Sequence, residues 1–503
     1  MLTSGAPLEA QHEGAGTLSG MRAACVNCHR RSGLGTREGR NIVPPITGAF
    51  LFENHTEDSA PLPYVPGGRP ARVVYTAETF ARALREGVDS EGRQMSYLMP
   101  RFALADADIA ALVAHLRSLD RHREPGVTED ELHFATILTS DVSPERREAV
   151  RRVVEQFFAD RNMAPRGPAA QSMTTSGATA YAKMMFKVNR RWALHVWEPT
   201  GPPSTWGGQL EKSFAAQPVF AVISGISGAH SSEVSAFCER RGVPCLFPNV
   251  EAPPAGADSA FHTVYFSRGV LLEANLIAAS LAQVSAPRGR VLQIYRSDDV
   301  GVAAAAALGK TLQASGGNTV DRALAPGAGL GGALHDVRGD DVLVLWLRGA
   351  DLKALPAEPN AKRVYTSGLM GGLEGSPIPA AWRERIHMTY PVDLPQFRRV
   401  RVDYARSWFR IRQIPVVDER LQADTYLACG LLSETVKHLV DAFVPAYLVE
   451  QMEDTVEHRV LTGYYPRLAL APNQRFASKG GFVVHFVITP QTQVVPDGEW
   501  LTP

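Results

Sequence analysis

Beyond residue 132 the chain alternates short apolar runs with amphipathic stretches, and that alternation sets the expected architecture. Residues 132–138 read as a buried strand. Ser143-Pro144 then opens a helix expected through Phe158, with serine as N-cap and proline at the first position. A strand at 192–197, a helix at 206–216, a strand at 219–223, a helix at 231–240 and a strand at 243–247 complete a first series. After the break Pro287-Arg288-Gly289 a second series begins, with a strand at 291–295 and a helix at 300–314. Further strands fit 320–324, 342–347, 363–367 and 386–389. Segment 261–266 and a helix at 270–282 link the two series, and a helix at 423–439 and a strand at 482–488 cross back. Two such runs predict two parallel-sheet α/β lobes. Upstream the pattern is one of scattered helices, the clearest opening at Asp106 with an acidic first turn and running to about Leu119. A charged stretch with a Pro-Gly break, 120–131, separates the two regimes.

Composition narrows the picture. At 503 residues the chain is too long for one core, and about three domains are expected. Lysine plus arginine equals aspartate plus glutamate at 52 each, so no net field favours nucleic acid or an anionic membrane. No apolar run has the length of a bilayer span. The first residues, Met1-Leu-Thr-Ser-Gly-Ala-Pro, lack the basic start and apolar stretch of a signal peptide.

Residues 25–29 read Cys-Val-Asn-Cys-His, the attachment signature of a c-type haem. Two thiols one helical turn apart suit thioethers to the porphyrin vinyls, and the histidine after them is placed as proximal ligand to the iron. A structural zinc site needs two more close ligands, whereas Cys238, Cys245 and Cys429 lie far away in sequence. A thiol redox pair has no use for His29. There is no second Cys-x-x-Cys-His, so one covalent haem c is expected. Such attachment implies export in a bacterium, and the chain is expected to be a mature periplasmic form whose signal peptide is absent from this sequence. Cys238 and Cys245 make a candidate disulfide for that oxidising compartment, with two buried thiols as the alternative. Cys429 falls in the apolar helix and is expected to be inert.

The second axial ligand of an electron-transfer haem is commonly a methionine thioether, and Met95 and Met99 both stand just before the helix that opens at Asp106. Residues 12–120 resemble a class I cytochrome c domain, whose last stretch reads Met-Pro-x-Phe before a helix with an acidic first turn; here it is Met99-Pro100-Arg101-Phe102. The resemblance puts the distal ligand on Met99, with Met95 as the alternative. It also assigns Pro44, in Pro44-Pro45-Ile46-Thr47-Gly48, the carbonyl that receives the proximal histidine's Nδ1–H, with Ile46 where the family has leucine. Arg30, Arg31, Arg37 and Arg40 crowd the same region as candidate partners of the haem propionates, or as a solvated face.

The α/β part, over about 132–490, resembles a type I periplasmic solute-binding protein of the branched-chain amino acid and amide receptor group. Tyr295-Arg296-Ser297-Asp298-Asp299-Val300-Gly301 is similar to that group's strand-end Asp-Asp-x-Tyr-Gly segment, with Val300 in the tyrosine position. Ser224-Gly225-Ile226-Ser227-Gly228 is similar to its Ser/Gly ligand loop. Ligands of open α/β sheets bind beyond the carboxyl ends of strands. The candidates there are Ser224, Ser227, Tyr295, Arg348, Ser367 and Arg268, with Arg348 or Arg268 as partner of an anionic solute and Tyr295 serving an aromatic or neutral one.

The expected architecture is multidomain: an all-α cytochrome c domain (1–122), a linker (123–131) and a two-lobed α/β periplasmic-binding-protein-like module (132–503). Within the module, lobe 1 covers about 132–265, lobe 2 about 288–420 and a C-terminal crossover about 421–503. Common catalytic signatures are missing from the sequence: there is no Gly-x-Ser-x-Gly, His-Glu-x-x-His or phosphate-binding Gly-x-x-x-x-Gly-Lys, and 327–332 is expected to be a mobile glycine-rich loop. An electron-transfer and ligand-binding protein is expected rather than an enzyme. Its partners would be a small organic solute and a periplasmic redox protein, such as a dehydrogenase or another cytochrome, with no nucleic acid and no membrane span. Two other functions fit the same sequence: a transport-type receptor with an accessory haem, and a docking subunit of a quinoprotein dehydrogenase.

Overall fold

A computed structural model describes residues 9–12, 16–38, 41–54, 73–119, 124–163, 189–283, 289–356, 360–361, 363–439, 442–488 and 492–503. Arg40, linker residue 123, and Pro287 and Arg288 of the expected break lie outside them. Contacts divide the chain into two units. One takes Met1–Leu132, Pro165–Arg191 and Glu434–Gln451; the other takes His133–Ala164, Trp192–Ser433 and Met452–Pro503.

The first unit combines helices with two small sheets. Strands β1 (Glu9–His12), β2 (Gly16–Ser19) and β5 (Arg101–Phe102) form an antiparallel sheet in the order β2-β1-β5, and β3 (Thr36–Glu38) pairs with β4 (Asn41–Val43). Helix Ala77–Glu86 starts at a capping box, with Thr76 and Thr79 exchanging side-chain and backbone bonds, and ends at Gly87 in the left-handed region. Phe80, Ala83 and Leu84 share its inner face. They pack with Leu51, Tyr75, Phe102, Leu104, and with Ile109 and Leu116 of helix Asp106–Ser118. Cys25, Ile46, Met95 and Met99 lie half-buried at the margin of this cluster.

The second unit holds two sheets. The first has the order β10-β9-β8-β6-β7, from β6 (Glu131–Ile137), β7 (Arg191–Trp197), β8 (Ala221–Ile223), β9 (Cys245–Leu246) and β10 (Thr263–Val264). Pairs β6–β8, β8–β9 and β9–β10 are parallel, with Phe134 opposite Ala221 and Val222 opposite Cys245. The second sheet runs β12-β11-β13-β14-β15-β16-β17. Its strands are β11 (Val291–Arg296), β12 (Thr319–Leu324), β13 (Val342–Trp346), β14 (Arg363–Ser367), β15 (Ile386–Tyr390), β16 (Phe482–Ile488) and β17 (Thr492–Pro496). It is parallel from β12 through β15, and β16 and β17 add antiparallel. Every residue of β13 is buried, as a strand covered on both faces requires. Helices Val270–Gln283 and Gly301–Ala314 supply one cover, packing Ile277, Ala304 and Leu308 against Val344 and Trp346.

Besides strands β1–β5 of the first unit and β17, which were not expected, three further elements depart from the sequence expectation. Glycine-rich 327–332 is not wholly loop, because Gly331–Leu334 forms a helical turn with Ala333 buried. Helix Pro395–Ile411 was not expected: besides buried Val402, Ala405 and Phe409 it carries exposed Phe397, Val400, Tyr404 and Ile411 and buries Arg398, which blurs the usual periodicity. Helix Pro445–His458 was likewise not expected.

Candidate functional site

The Cys-x-x-Cys-His segment folds as one short helix, Val26–His29, with His29 N bonded to Cys25 O at 2.8 Å. Arg30 then takes a left-handed φ of 65°, which ends the helix and turns the chain back. Gly35 follows at φ 77°, where a β-carbon would collide with Val43 O and the Pro44 backbone. Glycine there lets the 43–44 backbone come close to the turn. The outcome is a 2.9 Å hydrogen bond from His29 Nδ1–H to the Pro44 carbonyl.

That bond fixes the imidazole tautomer, because a carbonyl only accepts, and it leaves Nε2 with its lone pair. His29 is 6% exposed, and burial holds its pKa below the ordinary value against the opposing pull of Pro44. A neutral imidazole with one nitrogen pinned and the other free suits an axial haem ligand. Cys25 is half-buried and Cys28 exposed, one turn apart on the same helix, and Met95 and Met99 border the apolar cluster that Cys25 also touches. These residues fit a covalent haem: Cys25 and Cys28 would hold the porphyrin and His29 the iron, with a methionine thioether available.

One contact in this unit could not be expected from sequence. Ser32 N and Ser32 Oγ donate to the carboxylate of Glu450 at 3.0 and 2.5 Å, both residues being buried. Glu450 thereby secures the turn that follows His29. Burial pushes its carboxyl pKa up, opposed by the Ser32 bonds.

The second unit contains a cavity of about 480 Å³ beyond the strand ends. Ser227 and Arg348 line it; Ser224, Tyr295, Ser367 and Arg268 do not. Ser224 is buried at φ 50°, bonded to Thr425 Oγ1 and Asn249 Nδ2. Ser367 caps helix Gly368–Gly371 by accepting from Met370 N and donates to buried Glu273. Tyr295 packs against the core of the second sheet. Arg268 turns away to pair with Asp258 and sits 4.5 Å over the Phe476 ring.

Arg348 reaches the cavity already paired. It donates to Glu251 at 3.0 and 2.7 Å and to both carboxylate oxygens of Asp299 at 2.6 Å. Burial works against its charge, yet the two carboxylates raise its pKa above the ordinary guanidinium value. Four of the five Arg348 N–H groups are thus bonded to Glu251 and Asp299 within the protein. Arg146 faces Asp418 and Glu251, and Arg420 donates to Asp424 Oδ2.

The loop after β8 is occupied in the same way. Asp141 accepts from Thr139 Oγ1 at 2.5 Å, Gly228 N at 3.1 Å and His230 N at 3.4 Å. Burial opposes its ionisation, but these bonds hold its pKa below the usual carboxylate range. Glu251, Arg420 and Asp424 were not singled out in the sequence, whereas Asp299 belongs to the strand-end Asp-Asp segment and Asp141 to the end of the first strand. Asp424 left one signal, an acid inside an otherwise apolar helical stretch.

Cys238 and Cys245 are both fully buried thiols, and the nearby Cys245 thiol together with burial pushes the Cys238 thiol pKa up. Cys429 is buried in helix Glu419–Leu439.

Residues 18–120 match the family Cytochrome c. This segment is a cytochrome c domain. Its helices carry a three-stranded sheet and a two-stranded ribbon besides. Over the remainder, the chain is similar in structure to type I periplasmic binding proteins. A fatty acid ABC transporter substrate-binding protein from Thermomonospora curvata superposes with TM-score 0.51 at 13% identity, over 76% of this chain and 95% of its own. A substrate-binding periplasmic protein from Ralstonia solanacearum gives TM-score 0.52 at 12% identity, over 73% of this chain and all of its own. A leucine binding protein from Thermotoga maritima gives TM-score 0.50 at 13% identity, over 74% and 99%. At these identities the likeness shows the fold. Comparison with curated protein sequences found no match. The chain therefore joins a cytochrome c domain to a two-sheet α/β fold of the periplasmic-binding-protein type. Among the described residues no helix is long and apolar enough to cross a membrane.

Proposed function

We propose that this chain is a periplasmic monohaem electron carrier and a solute receptor in one polypeptide. One haem c is attached through Cys25 and Cys28, with His29 and Met99 as axial ligands and Pro44 orienting the imidazole. When bound, the haem supplies a one-electron couple, and two protein ligands leave the iron no open position for substrate chemistry. The observation that carries this half is the buried His29 with Nδ1 pinned to Pro44. The cavity lined by Ser227 and Arg348 takes a small organic solute, in keeping with the neighbours' fold. The haem exchanges electrons with a periplasmic redox partner such as a dehydrogenase or another cytochrome.

The haem half is tested on the exported protein. Haem is expected to stay with the polypeptide through acid-acetone extraction, and release of the haem would overturn the covalent assignment. Met99→Ala is expected to abolish the weak near-infrared sulfur-to-iron band and to lower the reduction potential, while Met95→Ala changes neither. The reverse result would make Met95 the ligand.

Export also decides the state of Cys238 and Cys245. In an oxidising compartment this pair closes to a disulfide by giving two electrons and two protons to a thiol oxidant. With Cys25 and Cys28 held as thioethers, denatured holoprotein is expected to titrate one thiol, that of Cys429. Three reactive thiols would mean that Cys238 and Cys245 stay reduced.

A further inference from the structure

The turn after His29 is gripped by a residue 418 positions along the chain, and what that grip controls follows from the turn's own bonds, given the haem reading on which this inference rests. The turn needs outside support. Arg30 at φ 65°, Gly33 at φ 71° and Gly35 at φ 77° all take left-handed backbone, and arginine has no glycine's freedom there. The same turn touches both ends of the bond that orients the imidazole. Gly35 N donates to His29 O at 3.2 Å, and Ile46 N, two residues past the Pro44 carbonyl, donates to Gly33 O at 2.7 Å. Ser32 sits between these contacts, and its hydroxyl accepts from Leu34 N at 3.1 Å. A shift of the turn at Ser32 therefore moves His29 and Pro44 relative to each other.

Glu450 fixes Ser32 at two points. Its Oε1 accepts from Ser32 N at 3.0 Å and its Oε2 from Ser32 Oγ at 2.5 Å, so backbone and side chain are held together. Both residues belong to the first unit. Glu450 lies in helix Pro445–His458, where its neighbours Tyr447, Leu448 and Val449 are buried, and this packing gives the carboxyl a firm base. A buried acid is costly unless its oxygens are bonded, and here those bonds go to the turn that serves the proximal histidine.

We propose that Glu450 is a positioning residue of the haem site: through Ser32 it holds the turn that keeps His29 Nδ1–H on the Pro44 carbonyl, and it thereby helps set the reduction potential. A hydrogen bond at Nδ1 makes the imidazole a stronger donor to iron and favours the oxidised state, so loosening that bond raises the potential. The test uses the full haem-loaded chain with isotope-labelled histidine. Solvent exchange of the His29 Nδ1 proton is followed by NMR in the reduced protein, and the potential by redox titration. Glu450→Ala is expected to speed the exchange about tenfold, the scale of one lost hydrogen bond. It is also expected to favour reduction about threefold, or about 28 mV at about 59 mV per tenfold. Glu450→Gln keeps the reach and an oxygen for Ser32 N, and the Ser32 hydroxyl can turn to accept from its amide, so both readouts are expected to stay near wild type. Glutamine moving them as far as alanine would mean that Glu450 acts by its charge, which overturns the positioning role. Alanine moving neither overturns it as well. If Glu450→Ala fails to fold, Ser32→Ala, which deletes only the hydroxyl's bonds, is expected to give smaller shifts in the same directions, and no shift overturns the proposal. Haem released by acid-acetone overturns the haem reading itself, whereas retained haem with unmoved readouts overturns only the role of Glu450.

Discussion

Arg348→Ala is expected to shift the two-sheet unit toward a more open cleft, read as an increased radius of gyration in solution scattering without solute. Arg348 follows β13 of the second sheet, and Glu251 follows β9 of the first, so their two hydrogen bonds at 3.0 and 2.7 Å tie one sheet to the other. Asp299 follows β11, and its bonds to Arg348 stay within the second sheet. Removing the guanidinium deletes the tie and leaves Glu251 and Asp299 as carboxylates without their shared cation. Both changes act in the same direction. The Arg348 side chain is 38% exposed, so solvent screening keeps the effect to about 1–2 kcal/mol, a shift of roughly five- to thirtyfold in the open-to-closed ratio. Glu251→Gln is expected to open the cleft as well, and Asp299→Asn to leave it closed. Identical scattering from Arg348→Ala and the wild type would mean that the ion pair does not hold the sheets together. A solute that touches both sheets would favour closure by its differential affinity for that state.

Arg348 also shows where sequence reading ends. Its place at the end of a buried strand follows from the run 342–347 and from the rule that ligands lie beyond strand ends. That it is held by two carboxylates does not follow, because Glu251 is 97 residues away and reaches it only through the fold. The haem segment is the contrary case. Cys25, Cys28 and His29 adjoin, and Pro44 lies 15 residues on, so short-range spacing carries that geometry. Glu450, which holds the turn after His29, is 418 residues from Ser32 and leaves no local trace. Strand β16 was legible to the residue because it is a bounded, largely apolar run, and β14 because its Val-Tyr-Thr centre has the β-branched and aromatic residues of a strand. Helix Pro395–Ile411 was not, because exposed Phe397, Val400, Tyr404 and Ile411 mask the buried stripe of Val402, Ala405 and Phe409, and buried Arg398 gives its charge to Glu374 and its bonds to Tyr390 and the Asp393 carbonyl. Periodicity finds helices whose apolar face is the buried one. Among the strand-end serines, Ser224 and Ser367 bond within the fold, and only the three-dimensional contacts separate them from Ser227.

A pH dependence of stability is expected from Glu273, and Glu273→Gln should remove it. Glu273 lies in helix Val270–Gln283 with no exposed surface and accepts from Leu369 N at 3.0 Å, Thr389 Oγ1 at 2.8 Å and the Ser367 hydroxyl. These bonds favour the carboxylate, but burial outweighs them and raises the carboxyl to about 7. In the unfolded chain the same group titrates near its ordinary value of 4.5. Below the unfolded value both states hold the proton, and the stability tied to Glu273 is fully present. As pH rises from there to about 7 the unfolded chain has released a proton that the folded chain still keeps, so stability falls. Above the folded value the loss levels off at about 3 kcal/mol, from a difference of roughly 2.5 units at about 1.4 kcal/mol each. Asp424, raised to about 6, adds a slope of the same sign, so the comparison must be between variant and wild type. Glutamine keeps an acceptor for Leu369 N and does not titrate, and the two hydroxyls can rotate to meet its amide. In chemical unfolding, Glu273→Gln is expected to gain on the wild type by about 3 kcal/mol between about pH 4 and about pH 8. Stability curves that run parallel over that range would show that Glu273 is already ionised in the folded protein.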